Sequence, residues 1–261
     1  FSSVHGFSAK KINPPPPGEG DDFVGFGDPR RLFDVAAPAI RFQAETEMLA
    51  IFAANTGRQV ETGEPDGPKI RTYEMAGGVH VDIPLETSGL LLRERDLGFS
   101  TEPKECGLPV TPIRTDYIQS ALLRAIEAWV RDGIEPPSSK LIEIGRNETN
   151  NLIVIQDVNE NALGGVRSPQ IEVPLGRYIA NPFTIFDPCF LEGAFIPFTE
   201  DRFRELYPTD SFYVQEVDRA ISSAVAEGFI LVEDADSLKN DMLADAGIEK
   251  NNGGCTLGNK S

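Results

Sequence analysis

Histidine and cysteine are scarce in this chain, and basic residues are outnumbered. The 261 residues include two histidines and three cysteines, too few for a disulfide framework, and no cysteines have C-x-x-C zinc spacing. No apolar run approaches the roughly 18 residues of a membrane-spanning helix, so we expect no membrane span. Because 41 acidic residues face 24 basic ones, the net charge is −17, which argues against a nucleic-acid or anionic-membrane partner.

The rest of the composition is that of a globular chain. Hydrophobic residues make up 40% and charged residues 25%, which is typical of a folded and not of a disordered chain. The length of 261 residues is enough for one large domain or a domain with a substantial appendage. The chain starts at Phe1 without an initiator Met or signal-peptide pattern, so we expect a cleavage product or a part of something longer. Two N-x-[ST] sequons, at Asn147 and Asn259, would accept glycans in a secretory protein, although such tripeptides also arise by chance.

The order of predicted elements is strand, helix, strand, helix. Residues 1–34 are rich in Gly and Pro and predict an irregular connection. Residues 37–44 and 69–75 have strand patterns, with an apolar helical run at 48–54 between them. The spacing of apolar residues predicts an amphipathic helix over 115–131, with Thr115 as N-cap. This order favours an α/β domain, in which ligands collect at the carboxyl ends of strands.

The second half of the chain has weaker patterns. It predicts two helices, two short strands and a disordered tail from residue 249 onward. The helices are 211–227 and 234–246, and the strands are 151–156 and 171–173.

His80 and Glu45 are the best candidates for catalysis. His80 lies in a Gly-Gly loop after the second strand, where the backbone can turn sharply towards a cleft. Glu45 follows the first strand, and an acid after one strand with a His after the next is the order that completes a Ser–acid–His triad in an α/β-hydrolase. In the alternative, Glu45 caps the following helix and His80 is an ordinary loop residue.

Two further motifs bear on chemistry. The 261 residues contain no Gly-x-Ser-x-Gly nucleophile elbow; Ser8 in Gly6-Phe-Ser8 is half a match, but the four prolines at 14–17 leave little room for the helix that an elbow needs. Arg167, in the Gly-rich segment 164–169, could bind a substrate carboxylate or tie the turn to the domain through backbone carbonyls.

Short motifs along the chain resemble a family of "alpha/beta hydrolase domain" proteins from about residue 35 to 248. Each motif is short, but their shared order and spacing are specific. The motifs are Phe-Gln-Ala-Glu-Thr-Glu (42–47), Arg-Thr-Tyr-Glu-Met-Ala-Gly-Gly-Val-His-Val-Asp (71–82), Ala-Leu-Leu (121–123), Ala-Trp-Val-Arg-Asp-Gly-Ile-Glu-Pro-Pro (128–137), Asn-Ala-Leu-Gly-Gly-Val-Arg-Ser-Pro (161–169), Val-Pro (173–174), Cys-Phe-Leu-Glu-Gly (189–193), Leu-Tyr-Pro (206–208), Gly-Phe-Ile-Leu (228–231) and Asp-Ala (234–235).

The resemblance implies a fold class: an α/β protein that is the C-terminal portion of an α/β-hydrolase sheet with a mixed α+β C-terminal appendage. Strands 38–44 and 69–75 would be the last core strands of that sheet, with helix 115–131 packed on it. The implied segments are a connection (1–34), part of the hydrolase core (35–145), a family-specific appendage (146–248) and a disordered tail (249–261).

The resemblance also implies a function, an esterase-like serine hydrolase acting on a small ester-like substrate. His80 matches the family's catalytic histidine and Glu45 its acid, with Glu47 as the fallback acid. The family's nucleophile and earlier strands lie upstream of what is Phe1 here, so the missing N-terminal half is an expected partner. No metal or organic cofactor is implied. The alternative is a non-catalytic secreted or surface binding protein on the same scaffold.

The cysteines allow at most one bridge and one odd thiol. The resembling family tends to have cysteine at the positions of Cys106 and Cys189, which implies a disulfide between appendage and body and leaves Cys255 over. Such a bridge predicts an oxidising compartment and export, with Asn147 as a glycan acceptor. In the alternative, three reduced thiols belong to a cytoplasmic enzyme.

Overall fold

The computed structural model describes residues 37–49, 69–98, 106–150, 152–182, 189–249 and 256–257. These residues form a mixed arrangement of helices and small sheets. The strands are Ala39–Ala44 (β1), Ile70–Met75 (β2), Ile144–Arg146 (β3), Leu152–Val154 (β4), Gly176–Ile179 (β5), Ala194–Pro197 (β6), Ile248–Glu249 (β7) and Thr256–Leu257 (β8). The α-helices are Glu45–Leu49 (α1), Ile83–Leu97 (α2), Thr115–Asp132 (α3), Pro169–Glu172 (α4), Glu200–Leu206 (α5), Asp210–Ala226 (α6) and Ala235–Asp245 (α7).

The two strands that precede Glu45 and His80 lie side by side. β1 pairs with β2 in parallel, in a register that places Ala44 beside Met75. β2 also bonds to Lys140 and Val166 through parallel bridges, and its residues from Thr72 to Met75 are buried. Because parallel strands end at the same edge, this register brings the residues after Ala44 and after Met75 together.

Helix α3 has the predicted position and apolar face. It begins at Thr115 itself, so the expected N-cap role of Thr115 is replaced by a carboxylate from elsewhere: Oδ2 of Asp82 accepts from the backbone N–H of Thr115 at 3.0 Å. The helix ends at Asp132, and the next residue, Gly133, has φ of 71° and donates its N–H to the Trp129 carbonyl. A positive φ at this position suits glycine, which has no Cβ to clash.

One hydrophobic core joins the predicted hydrolase segment to the predicted appendage. Tyr73 of β2 belongs to the same buried cluster as Tyr213 of α6 and Met242 of α7. The predicted disulfide is also present: Cys106 and Cys189 are bonded, with Cα atoms 5.7 Å apart. Both features tie the two segments together.

Several local predictions differ from the structure. Residues 171–173 were expected as a strand, but Pro169–Glu172 form a helical turn after extended Ser168, with Ile171 N–H donating to the Ser168 carbonyl. Proline at the first helical position favours this turn. The connection 1–34 lies outside the described residues. Of the tail 249–261, the structure describes Glu249 in β7 and the two residues of β8, which pairs with β7; the rest lies outside the described residues.

Candidate active site

Two short segments follow the carboxyl ends of β1 and β2 and face each other. β1 runs directly into α1, whose first three residues are Glu45, Thr46 and Glu47. β2 runs into a tight turn in which Gly78 N–H donates to the Met75 carbonyl. His80 follows this turn by two residues.

His80 is hydrogen-bonded to a buried glutamate across this gap. Its Nδ1 lies 2.7 Å from Oε1 of Glu47. The side chains are 15% and 6% exposed respectively, and the second oxygen of Glu47 accepts from the backbone N–H of Ala44. Because a carboxylate only accepts, Nδ1 is the donor in this hydrogen bond, which fixes the orientation of the ring.

Glu45, the first-choice acid from the sequence, contacts a different group. Its Oε2 accepts from the backbone N–H of Gly77 at 2.7 Å, and its side chain is buried. Burial raises the pKa of Glu45 to about 7, and the Gly77 N–H bond offsets part of that rise. Residues two apart in a helix project to different sides, so Glu45 and Glu47 reach different partners. The structure therefore brings Glu47, the fallback acid, to His80.

Thr46 links the two segments through the backbone and through its hydroxyl. Its N–H donates to the Gly78 carbonyl at 3.2 Å, and its Oγ1 donates to the Ala180 carbonyl at 3.1 Å. The residues that follow His80 are also held, because Val81 N–H donates to the Leu191 carbonyl at 3.1 Å. Leu191 lies two residues after Cys189, so the disulfide anchors a segment that contacts the His80 loop.

Asp82 helps to hold the His80 loop in place, a role that was not predicted from the sequence. Its Oδ2 accepts from both the backbone N–H and the hydroxyl of Thr115. This carboxylate fixes the start of α3 against the end of the His80 loop. Its position in the motif at 71–82 was the available signal.

Arg167 ties a turn to the domain. Its guanidinium bonds Asp157 at 2.9 Å and Glu172 at 2.7 Å, and it also donates to the carbonyls of Ala162 and Ile171. The side chain is 16% exposed. These contacts match the structural alternative for Arg167, in which it binds carbonyls of its own turn.

The remaining sequence candidates fall on the surface or outside the described residues. Asn147 is exposed in the turn between β3 and β4, where its Oδ1 accepts from the hydroxyl of Thr149 at 2.8 Å. His5, Ser8, Cys255 and Asn259 lie outside the described residues.

No metal-binding group is evident in the part of the chain that the structure describes: none of its His, Cys, Asp and Glu residues form a cluster of three or more able to hold an ion. In the same part of the chain, no helix is both long enough and apolar enough to span a membrane.

Comparison with known proteins identifies the family. A family model described as "Alpha/beta hydrolase domain" matches residues 4–240, which include both strands of the site, the His80 loop and most of the predicted appendage. The chain belongs to this α/β hydrolase family. Neither the curated proteins nor the solved structures contain a match to it.

Proposed function

We propose that this member of the α/β hydrolase family is an esterase-like serine hydrolase in which His80 is the general base and Glu47 its orienting acid. The observation that carries the proposal is the 2.7 Å contact between His80 Nδ1 and Glu47 Oε1, made where two adjacent parallel strands end. This is the edge at which α/β sheets bind ligands.

In the proposed reaction, Nε2 of His80 takes the proton of a serine hydroxyl as its oxygen attacks the ester carbonyl. The imidazolium then gives that proton to the leaving alcohol, and an acyl-serine remains. Water, deprotonated by the same nitrogen, hydrolyses the acyl group and restores the serine. The negative charge of Glu47 stabilises the imidazolium in both steps. The reaction needs no metal or organic cofactor.

The sequence has no Gly-x-Ser-x-Gly, and we therefore propose that the nucleophile lies on a segment upstream of Phe1. Assays therefore use the protein as its gene encodes it. The substrate class is a small carboxylic ester, for which p-nitrophenyl acetate is a suitable probe.

The test compares the two histidines of the sequence. His80→Ala is expected to reduce kcat for p-nitrophenyl acetate by about 10³-fold or more, whereas His5→Ala is the matched control and should leave it unchanged. A fluorophosphonate probe should label the wild-type protein on serine. If the wild-type protein neither hydrolyses the ester nor reacts with the probe, the proposal fails and the binding-protein alternative gains support. Equal activity of His80→Ala and wild type would also contradict it.

We also propose export to an oxidising compartment. The Cys106–Cys189 disulfide supports this, because cytosolic thiols are kept reduced. The exposed Asn147 sequon is accessible to glycosylation. In protein trapped with a thiol-alkylating reagent from its native cells, both cysteines should be blocked to the reagent, and peptide mapping should find a glycan on Asn147 if the source cell has N-glycosylation. Alkylation of both thiols without prior reduction would contradict export.

A further inference from the structure

The turn after β2 is packed so tightly that its backbone has little freedom. Gly77 has φ of 66°, and a Cβ placed on it would lie 2.6 Å from Ile171 and 2.7 Å from Ile113. The residues from Tyr73 to Val79 are buried. A buried backbone N–H without an acceptor is costly, so the acceptor of the Gly77 N–H matters for the geometry of this turn.

That acceptor is Glu45. The carboxylate approaches the Gly77 nitrogen at 2.7 Å, while the next residue, Thr46, donates its own N–H to the Gly78 carbonyl. Two consecutive residues of α1 thus bond two consecutive residues of the turn. His80 lies two residues after Gly78 in the chain. We therefore expect a shift of the turn to move the His80 imidazole.

Glu45 and Glu47 lie on the same short helix and bind different groups. Glu47 contacts the imidazole itself, and Glu45 contacts the turn that carries it. We propose that Glu45 is a positioning residue, whose carboxyl oxygen fixes the Gly77 turn and thereby aims His80, and that it is not the acid of the triad. This inference rests on the proposed hydrolase function.

Two substitutions of Glu45 separate the effect of side-chain length from the effect of side-chain charge. Glu45→Gln keeps an oxygen at the same distance but has no charge, whereas Glu45→Asp keeps the charge but is one methylene too short to reach Gly77. A positioning role predicts that Glu45→Gln retains kcat for p-nitrophenyl acetate within about threefold. It predicts that Glu45→Asp loses about tenfold or more in kcat with little change in KM, since misplacement of about 1 Å at a site can cost about 10²-fold. Glu94→Gln, at an exposed position of α2, is the control.

The inference is wrong if Glu45→Asp has a higher kcat than Glu45→Gln. If Glu45→Gln is as inactive as a triad-acid substitution while Glu45→Asp stays active, the charge of Glu45 acts in catalysis. Equal, wild-type activity of both variants excludes a positioning role.

A second measurement does not depend on activity. In two-dimensional ¹H–¹⁵N spectra, Glu45→Asp should move the Gly77 amide signal and the His80 imidazole signals, and Glu45→Gln should move the imidazole signals little. His80 signals unchanged in Glu45→Asp overturn the inference. If the wild-type protein hydrolyses no ester, the proposed function fails, and these spectra still decide whether Glu45 positions His80.

Discussion

Two charged regions that the sequence singles out use their charges in different ways. At the ends of β1 and β2, Glu47 holds Nδ1 of the His80 imidazole at 2.7 Å. At the turn around Arg167, the guanidinium is engaged by Asp157, Glu172 and two carbonyls. We propose that the charge supports a reaction in the first region, whereas in the second it holds a turn in place. Substitutions in the first region should remove activity, and those in the second should remove stability.

The largest expected effect is on activity, at Glu47. Glu47→Ala removes the carboxylate that orients His80 and stabilises its charged form, so kcat for p-nitrophenyl acetate should fall by about 10³- to 10⁴-fold. Because Glu47→Ala also leaves the buried Ala44 N–H without its acceptor, kcat should be measured per folded molecule, with the folded fraction taken from urea unfolding. Retention of more than about a tenth of wild-type kcat would show that the role of Glu47, like that of Arg167, is structural.

The disulfide should give the largest stability effect. It closes a loop of 83 residues, for which chain entropy suggests about 4 kcal/mol. The double variant Cys106→Ala/Cys189→Ala should lose a large part of this in urea unfolding, and Cys255→Ala is the control. Activity should fall only modestly, through the Leu191 contact with the His80 loop. A double variant as stable as wild type would contradict the role of the bridge.

The pH dependence of stability should report on Glu45. Its pKa is about 7 in the folded protein and 4.5 as the ordinary value, so between these pH values the folded state binds more protons than the unfolded state. The contribution of Glu45 to stability is therefore fully present below pH 4.5 and is lost as the pH rises through 7, a loss on the order of 3 kcal/mol. Asp245, whose pKa burial raises to about 6, adds a smaller decline of the same sign.

The free energy of unfolding, measured in urea at several pH values from 4.5 to 8, tests this predicted decline in stability. Glu45→Gln should show a much flatter decline than wild type and should be more stable than wild type at pH 8. Parallel curves for the two proteins would show that Glu45 does not titrate in this range.

Arg167 should give the smallest of these effects. Arg167→Met removes two ion pairs and leaves Asp157 partly buried without its partner, which should cost about 2 kcal/mol. Arg124→Ala is the control, because the Arg124–Glu233 pair is exposed at both ends and such pairs are worth about 0–1 kcal/mol. Activity per folded molecule should be unchanged at Arg167→Met. A rise in KM of tenfold or more would instead support the substrate-anchor role.

Long periodic segments were predictable from sequence, and short ones were not. β1, β2, α3, α6 and α7 appear within a few residues of their predicted positions because their apolar spacing extends over several residues. The three residues 171–173 alternate apolar and polar side chains, but Pro169 and packing make them part of a helical turn. α2 was missed because its apolar residues do not form one face, and several stay exposed, including Leu91 and Leu97.

The candidate site could also be predicted only in part from the sequence. The Gly-Gly loop after a strand was enough to select His80. The choice between Glu45 and Glu47 could not be made from spacing, because both follow β1, and their directions depend on where α1 begins. The bond from Glu45 to Gly77 depends on the parallel register of two strands that are 31 residues apart in sequence, which no local pattern shows.

The most direct test of the central claim is the nuclear magnetic resonance signal of the Nδ1 proton of His80, measured in wild type, Glu47→Gln and Glu45→Gln. We expect a strongly hydrogen-bonded proton far downfield in wild type, retained in Glu45→Gln and lost or shifted in Glu47→Gln. A signal that survives in Glu47→Gln and disappears in Glu45→Gln would show that Glu45 is the partner of His80 and would contradict the account.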